Sequence, residues 1–321
     1  MRAVVRNKYG APNVLEFQEI AKPDLTDDVV LVRVRAVSIN PLDWYTMTGT
    51  PYVGRIQSGL RKPKSNRLGV DFAGTVEAVG KNVTDFRPGD EVFGGKNGAL
   101  AEYVCVRDAV AAKPANLTFE QAAAVPVAAL TALQGLRDKG QIQPGQKVLV
   151  NGASGGVGTF AVQIAKAFGA EVTGVCSTRN VELVRSLGAD HVIDYTKEDF
   201  TQSDQRYGLM LDNAGSKSWS ETRRVLNRQA TVVIVGAPKG SGLIGPLSHM
   251  VKFRLAALRS SRKVVFFIAK FNRADMMVLG ELLESGKVKP VIDKRYEMSQ
   301  IADALRYLGE GHAQGKIVLA V

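Results

Sequence analysis

KVLVNGASGGVG occupies residues 147–158 of this chain, and EVTGVCSTRN follows at residues 171–180. The apolar run Val148–Val150 leads into a glycine-rich turn, after which apolar residues recur at helical spacing. This order predicts a strand, a turn, a helix and a second strand. Gly155 and Gly158 stand where a backbone must approach a pyrophosphate and where a helix must pack closely on its sheet. The stretch therefore predicts a dinucleotide-binding unit, whose helix start offers free N–H groups to phosphates.

The second strand of this unit indicates which dinucleotide binds. In an NAD site, a carboxylate about 20 residues past the glycine turn holds the ribose 2′-hydroxyl. Residues 176–179 read CSTR and include no acid. Ser177 can donate a hydrogen bond to a 2′-phosphate, and Arg179 can add a charge-assisted or stacking contact. We therefore predict NADP(H) as the cofactor. The alternative for Arg179 is an ordinary solvated arginine.

Size and composition predict a globular protein of two domains. The chain has 321 residues, of which 45% are hydrophobic and 23% charged. The first residues lack the apolar run of a signal peptide, and no segment is apolar for the roughly 18 residues of a membrane span. We therefore expect a cytoplasmic protein. Cys105 and Cys176 are isolated, which favours buried thiols over a disulfide or a metal site.

The net charge of +11 is concentrated in two segments that contain no acid, residues 52–67 and 247–263. Either segment could face an anionic partner. The second interleaves bases with apolar residues, which is compatible with a basic amphipathic helix on an anionic bilayer. We favour the simpler interpretation, a helix buried on one face and solvated on the other. The expectation is at most a weak association with anionic membrane surfaces and no specific nucleic acid.

The order of patterns along the chain predicts the domain organisation. The first hundred or so residues hold short β-branched runs separated by turn signals, which is typical of a barrel-like β domain. A helix follows a cap at Thr118, and strands then alternate with helices, which predicts a parallel, doubly wound sheet. We expect a first domain at residues 1–122, a nucleotide-binding domain at 123–262, and a segment at 263–321 that returns to complete the first domain.

Several motifs, in a consistent order, resemble those of a known family. Three of them, together with the C-terminal GHAQGKIV at residues 311–318, resemble the medium-chain dehydrogenase/reductases: VRAVSINPLDWYTMTG at residues 34–49, GVDFAGTV at residues 69–76 and PGDEV at residues 88–92. NGALAEYV at residues 97–104 and the turn at residues 153–158 resemble the zinc-free quinone oxidoreductase and alkenal or enone reductase branch. The resemblance implies an α/β fold in which a GroES-like, β-barrel-type catalytic domain accompanies a Rossmann domain.

The chain departs from the zinc-dependent members of that family at the positions of their metal ligands. Where those enzymes hold zinc, this chain offers Asn40, Val70 and Val127. Valine cannot bind zinc. The four-cysteine lobe is also missing, and the histidines are scattered at positions 191, 249 and 312. We therefore expect no metal.

The resemblance implies a reduction that does not need a Lewis acid. NADPH would deliver hydride to a quinone or to an α,β-unsaturated carbonyl, and hydrogen-bond donors would stabilise the negative charge that develops on oxygen. By resemblance, the pocket is lined by Asn40, Asp43, Tyr45 and Tyr52. Tyr45 or Tyr52 would donate a proton or a hydrogen bond, while Asn40 and Asp43 would organise the pocket. The alternative is that both tyrosines only pack and that solvent supplies the proton.

The resemblance also assigns the residues that would contact the cofactor. The pyrophosphate would meet Ser154, Gly155, Gly156 and Val157. The 2′-phosphate would meet Ser177, Arg179 and Tyr195. The ribose and nicotinamide would be bordered by Thr131, Asn213, Gly236, Ala237, Phe267 and Ile268, with Lys316 nearby.

The strand expected at Val264–Ile268 could pair edge to edge with the same strand of a second copy, which predicts a homodimer. Because fold does not guarantee chemistry, a second hypothesis is a reductase-fold protein that acts mainly as a peripheral membrane or nucleic-acid binder through its basic segments. A third is a zinc-free reductase module that serves a larger lipid or polyketide pathway.

Overall fold

The computed structural model describes residues 1–236, 246–258 and 260–321, and the chain divides into two compact units. Unit 1 comprises residues 1–130, 270–286 and 290–321, and unit 2 comprises residues 131–269 and 287–289. Among the described residues, no helix is long and apolar enough to cross a membrane.

The secondary structure is mixed α/β. The strands are β1 Arg2–Arg6, β2 Leu15–Glu19, β3 Val30–Ile39, β4 Asp71–Val79, β5 Glu91–Gly95, β6 Tyr103–Val106, β7 Val110–Ala112, β8 Lys147–Asn151, β9 Glu171–Cys176, β10 His191–Asp194, β11 Tyr207–Asp212, β12 Leu226–Ile234, β13 Lys263–Phe266, β14 Ile292–Glu297 and β15 Lys316–Ala320. The helices are α1 Pro41–Thr48, α2 Arg55–Ser58, α3 Phe119–Ala123, α4 Pro126–Gln134, α5 Gly156–Ala167, α6 Val181–Ser186, α7 Trp219–Thr222, α8 Pro246–Ala257, α9 Arg273–Glu284 and α10 Ile301–Glu310. Short 3₁₀ turns occupy Pro12–Val14, Tyr52–Gly54, Thr178–Asn180, Phe200–Gln202, Arg223–Val225 and Met298–Gln300, and a π-helical turn spans Gly135–Lys139.

Unit 1 is built on a largely antiparallel sheet in the order β14-β15-β3-β4-β5-β7, with β6 also paired to β3. The ten-residue strand β3 is central, because it pairs antiparallel with β4, β6 and β15. Its apolar side chains join those of β4 and β15 in the core of this unit. This arrangement confirms the GroES-like β domain, and it places the end of β3 beside the starts of β4 and β15.

Unit 2 contains a six-stranded sheet in the order β10-β9-β8-β11-β12-β13, and every neighbouring pair in it is parallel. This is the strand order of a Rossmann sheet. Successive strands are added on one side of β8 up to β10 and on its other side from β11 onward, so the strand order reverses between β8 and β11. Ligands of such sheets bind at the carboxyl ends of the strands beside this reversal. The doubly wound domain predicted from the glycine turn is therefore confirmed.

The two units divide later in the chain than residues 123 and 263, where we expected the boundaries. Helix α3 packs on β3 and β4, so it belongs with unit 1. The strand expected at Val264–Ile268 is found at Lys263–Phe266, where it pairs with β12. It therefore extends the parallel sheet of unit 2 and does not return to unit 1, whose later segment begins at residue 270.

Helix α8 carries the first part of the second basic segment, whereas Arg262 and Lys263 follow the helix. Phe253 and Ala257 are buried in the core of unit 2, and the Phe253 ring meets the edge of Trp219 at 5.3 Å between centroids. Lys252 and Arg254 are exposed. The helix thus buries one face and leaves its bases in solvent, as the simpler interpretation of this segment expects.

Candidate functional site

The glycine turn of unit 2 joins β8 to α5 through a tightly packed backbone. Gly152 has a φ of +79°, which favours glycine. A Cβ atom on Gly158 would lie 2.1 Å from the Gly152 carbonyl oxygen, so only glycine lets the helix pack on the turn. A Cβ atom on Gly155 would come no closer than 3.6 Å to the same oxygen, which is ordinary contact. Gly158 is therefore required for packing α5 against the turn, whereas a side chain at Gly155 would meet no close neighbour.

The start of α5 presents backbone donors. The first bond within this twelve-residue helix runs from the Thr159 N–H to the Gly155 carbonyl at 2.9 Å. The N–H groups of Gly156, Val157 and Gly158 precede that bond and have no carbonyl of the helix to bind. Donors of this kind at the positive end of a helix dipole suit a phosphate.

A buried asparagine that the sequence analysis missed connects this turn to the loop after β9. Asn180 donates from Nδ2 to the Ser154 hydroxyl at 2.9 Å and to the Ser177 hydroxyl at 3.1 Å. Its Oδ1 atom is buried and accepts no hydrogen bond within the described part of the chain. A hydroxyl of a bound nucleotide is a chemically suitable donor for this oxygen. The only signal in the sequence was a polar residue at the start of α6.

The residues assigned to the 2′-phosphate lie on adjacent loops. Asp194 at the end of β10 is the register partner of Cys176 at the end of β9, so the segments that follow are neighbours. Arg179 and Tyr195 are both exposed, and Ser177 is half-buried. The structure therefore brings Ser177, Arg179 and Tyr195 to one edge of the sheet.

An acid does lie at this edge of the sheet, although it ends the next strand, β10, and not β9. Asp194 accepts hydrogen bonds from the hydroxyls of Thr178 at 2.6 Å and Thr196 at 2.7 Å, and Lys197 lies 3.6 Å away. The bond from Thr178 is the largest cause that lowers the pKa of Asp194 to about 2. Its carboxylate is thus already engaged by the protein.

Asn213 directly follows β11, the strand that neighbours β8 in the sheet. Its backbone and side-chain N–H groups donate to the Asn151 carbonyl at 3.0 and 3.1 Å, while its Oδ1 is buried and accepts no hydrogen bond from a described residue. A Cβ atom on Gly236 would lie 1.9 Å from the Asn213 carbonyl oxygen, so this close approach requires glycine. Ala237, assigned beside Gly236, lies outside the described residues.

The remaining residues assigned to the nicotinamide lie on other elements of unit 2. Thr131 is on α4, which continues into the π-helical turn. Phe267 lies over this turn, because a Cβ atom on Gly135 would be 3.5 Å from its ring. The Lys139 ammonium is 5.9 Å from the same ring centroid, and Ile268 is 80% exposed. π-Helical turns are frequent at functional sites.

Unit 1 contains a buried cluster of polar side chains where β3 ends and where β4 and β15 begin. Asp71 accepts at Oδ2 from the Ser38 hydroxyl and from Asn40 Nδ2, each at 2.9 Å. Its other oxygen, Oδ1, accepts from the Val127 N–H at 2.9 Å. Asp71 lies in the GVDFAGTV motif, and the sequence analysis gave it no role. An acid among apolar strand residues was the signal for this cluster.

Lys316 lies in the same cluster, with its side chain 3% exposed. Its ammonium donates to the Ile39 carbonyl at 3.2 Å, to Asn40 Oδ1, and to Asp71 Oδ2 at 3.4 Å. An ammonium has three N–H donors. All three are used inside unit 1, so the geometry gives Lys316 a charge-compensating role instead of the cofactor contact expected for it.

Asp43 caps the helix that carries the candidate tyrosine. Its Oδ2 accepts from the Asn40 N–H at 2.8 Å and its Oδ1 from the Gly69 N–H at 3.1 Å. Burial is the largest influence on this carboxyl and raises its pKa from 3.8 to about 7, with the charge of Asp71 acting in the same direction. The bond from Asn40 and the charge of Lys316 lower it.

This raised pKa predicts a pH-dependent stability. Between pH 3.8 and about 7 the folded protein holds a proton on Asp43 that the unfolded chain has lost. Stability should therefore fall as pH rises through this window, by up to about 1.4 kcal/mol per pH unit. Urea unfolding across the window should show this slope in the wild type and lose it in Asp43→Asn. Identical slopes in the two proteins would contradict the assignment.

The candidate tyrosines differ in their surroundings. Tyr45 on α1 is half-buried, and burial raises its pKa. Tyr52 is 48% exposed and packs on the guanidinium of Arg55, which lies 4.5 Å from its ring centroid and 4.3 Å from that of Tyr9. Arg55 also donates from Nε to the Gly49 carbonyl at 2.8 Å. This base of the first basic segment therefore fixes a loop.

Two family models match separate parts of the chain. The model described as alcohol dehydrogenase GroES-like domain matches residues 26–116, and the model described as zinc-binding dehydrogenase matches residues 187–319.

Similar proteins match over nearly the whole length. The 2-methylene-furan-3-one reductase of Solanum lycopersicum is 35% identical over 99% of this chain and 79% of its own. The chloroplastic NADPH-dependent alkenal/one oxidoreductase of Arabidopsis thaliana is 34% identical with the same coverage. The solved structure of the quinone oxidoreductase from Coxiella burnetii is similar with a TM-score of 0.86 and 30% identity, covering 100% of this chain and 99% of that one.

Proposed function

Because this chain belongs to the medium-chain dehydrogenase/reductase family, in its quinone oxidoreductase and alkenal/enone reductase branch, we propose that it is an NADPH-dependent reductase of quinones or α,β-unsaturated carbonyls. The observation that carries the proposal is the glycine turn of unit 2. Its free N–H groups lie at the carboxyl edge of the sheet, together with Ser177 and Arg179. This is the place and the chemistry that a phosphorylated dinucleotide requires.

The residues of unit 2 fit NADP(H) along its length. The N–H groups of Gly156 and Val157 would hold the pyrophosphate, and Ser177, Arg179 and Tyr195 would hold the 2′-phosphate. The orphaned oxygens of Asn180 and Asn213 can each accept a hydrogen bond from the bound cofactor. When bound, NADPH supplies the hydride.

In unit 1, the proposed role of the tyrosines is to stabilise charge on the substrate oxygen. The hydroxyls of Tyr45 and Tyr52 form no hydrogen bond with any other described residue, which leaves them able to donate to a substrate oxygen. Asn40 and Asp43 would organise this region, since Asn40 is held by Lys316 and Asp71 and Asp43 fixes the start of α1.

We also propose that the reaction does not use zinc. The donor set supports this, because valine at positions 70 and 127 has no atom that binds zinc and the amide of Asn40 is engaged by Lys316 and Asp71. Within the described ranges, no group of three or more His, Cys, Asp or Glu side chains could hold a metal ion.

The test is NADPH oxidation with a benzoquinone, an alkyl enone, acrolein and a simple aldehyde, repeated with NADH and after treatment with a chelator. We expect turnover of the quinone or the enones that chelation does not change. Tyr45→Phe and Tyr52→Phe should separate the two tyrosines, since the proton donor should lower kcat by roughly 10²-fold or more. Turnover of none of the activated acceptors, despite NADPH binding, would count against the proposed reaction.

Cofactor preference gives a separate prediction. Arg179→Gln should weaken NADPH binding by about ten- to a hundredfold, because it removes a charge-assisted contact with the 2′-phosphate, and should leave NADH binding unchanged. Titration of both cofactors measures this. Arg185→Gln is the matched control, since Arg185 is an exposed base on α6 that pairs with Glu182 at 2.7 Å. An equal loss for NADPH and NADH would show that Arg179 does not contact the 2′-phosphate.

The oligomeric state follows from the edge of the unit 2 sheet. Strand β13 ends the strand order, and Val264 and Val265 in it are only half-buried. We propose that two copies pair through this edge to form a homodimer. Sedimentation velocity should show a species of twice the chain mass. A monomer at all concentrations would remove the proposal.

The cytoplasmic location stays a proposal, because one similar protein is described as chloroplastic. Cell fractionation tests it. The alternative of a membrane or nucleic-acid binder has no support from the similar proteins, which are described as reductases and oxidoreductases. Arg55 and Arg67 of the first basic segment bind the Gly49 and Gly98 carbonyls within unit 1.

A further inference from the structure

Unit 2 has a polar cavity whose lining residues have no part in the proposed reduction. Its volume is about 450 Å³, and it is lined by Trp219, Arg223, Arg228, Ala256, Ser260, Ser261 and Arg262. A cavity of this size falls in the range of small-molecule sites. Its three arginines come from three different segments, which are the 3₁₀ turn after α7, the start of β12 and the residue before β13.

This cavity lies at the opposite end of the sheet from the glycine turn. Arg228 is near the amino end of β12, and Arg262 immediately precedes β13, whereas the cofactor residues follow the carboxyl ends of the strands. Arg228 and Ile234 are six positions apart along β12, or about 20 Å at the usual rise per residue. A ligand of this cavity would therefore leave the dinucleotide site free.

The positive charge in the cavity has no counter-charge from the described residues. None of the three guanidinium groups forms an ion pair with a described carboxylate. Burial is the largest cause that lowers the pKa of Arg262, and the charges of Arg223 and Arg228 lower it further. The three cations thus repel one another, and an anion between them would relieve that repulsion.

Arg262 is also held in place for such a contact. Its Nη2 donates to the Leu226 carbonyl at 2.8 Å, and its backbone N–H donates to the Ser260 hydroxyl at 3.2 Å. Its Nε is buried and has no acceptor within the described residues. The Ser261 hydroxyl donates to the Arg228 carbonyl at 2.7 Å, which ties the segment before β13 to the start of β12.

We propose that this cavity binds the phosphate group of a small phosphate ester. Planar guanidinium groups match phosphate oxygens with paired hydrogen bonds, and three arginines line this cavity with no carboxylate among the lining residues. The cavity is larger than a phosphate ion alone, so it has room for the organic part of an ester, beside Trp219 and Ala256.

The test is calorimetric titration of the NADPH-saturated protein, in its native oligomeric state, with inorganic phosphate, glycerol phosphate and glycerol. Saturation with NADPH fills the phosphate contacts of the cofactor site. We expect both phosphates to bind, glycerol phosphate more tightly, and glycerol not to bind. Arg223→Gln and Arg228→Gln should each weaken binding by about ten- to a hundredfold.

The matched control is Arg224→Gln. Arg224 is an exposed arginine in the same 3₁₀ turn that does not line the cavity. The Arg224→Gln variant should bind phosphate like the wild type. This result would distinguish a specific site from the general attraction of a basic protein for anions. Loss of binding equally in all three variants, or no binding to the wild type, would overturn the proposal. Tighter binding of inorganic phosphate than of the ester would overturn the assignment of an ester.

Discussion

Asp71→Asn is expected to lower the free energy of unfolding by about 3–5 kcal/mol, the usual cost of leaving one partner of a buried ion pair alone. Asp71 is fully buried, and the Lys316 ammonium 3.4 Å away is nearly so. The substitution would remove the negative charge that compensates this ammonium and would weaken the hydrogen bonds from Ser38 and Asn40. Urea unfolding of the purified protein measures the loss.

The double variant Asp71→Asn/Lys316→Met provides the decisive comparison. Removing both charges should recover part of the loss, because no uncompensated charge remains inside the protein. Glu77→Gln is a surface control, since Glu77 pairs with Lys22 at 3.0 Å with both side chains exposed, and it should cost less than about 1 kcal/mol. If Asp71→Asn costs no more than this control, the cluster does not depend on its charge pair.

Gly158→Ala is expected to have the second large effect, a loss of about 3 kcal/mol in stability together with the loss of NADPH binding. The added Cβ would lie 2.1 Å from the Gly152 carbonyl oxygen and 2.8 Å from backbone atoms of Ala153, which no side-chain rotation can relieve. The turn and the start of α5 would have to separate. Urea unfolding and NADPH titration measure the two effects.

Gly155→Ala should separate binding from folding at the same turn. Its Cβ would meet no atom closer than 3.6 Å, so stability should change little. The methyl group would lie on the open side where the pyrophosphate is proposed to approach, and NADPH affinity should fall by about tenfold or more. Normal NADPH binding in Gly155→Ala would place the pyrophosphate elsewhere.

The parts of the molecule that follow from local sequence were predicted well. The glycine turn and its flanking apolar runs predicted the Rossmann sheet, because strand, turn and helix signals lie within 34 consecutive residues, 147–180. The family resemblance assigned Ser177 and Tyr195 to the same 2′-phosphate, and the structure places them after the neighbouring strands β9 and β10. The roles of the assigned site residues remain proposals.

The buried cluster of unit 1 could not be predicted in the same way. Asp71 and Lys316 are 245 positions apart in sequence. They meet because β15 pairs with β3 and β3 pairs with β4, a topology that no local pattern encodes. The placement of Lys263–Phe266 was wrong for a related reason, since a short apolar run fits either sheet and only its partner β12 decides.

The contacts of Arg55 connect Tyr9, near the start of the chain, to the candidate proton donor Tyr52. Tyr9 packs on Arg55 and donates its hydroxyl to the Gly59 carbonyl at 2.8 Å, while Arg55 packs on Tyr52. The orientation of a candidate proton donor therefore depends on a side chain that follows β1. Trimming or replacing this N-terminal segment should change the turnover of bulky acceptors even where the protein stays folded, which makes it a place to alter substrate preference without altering the cofactor site.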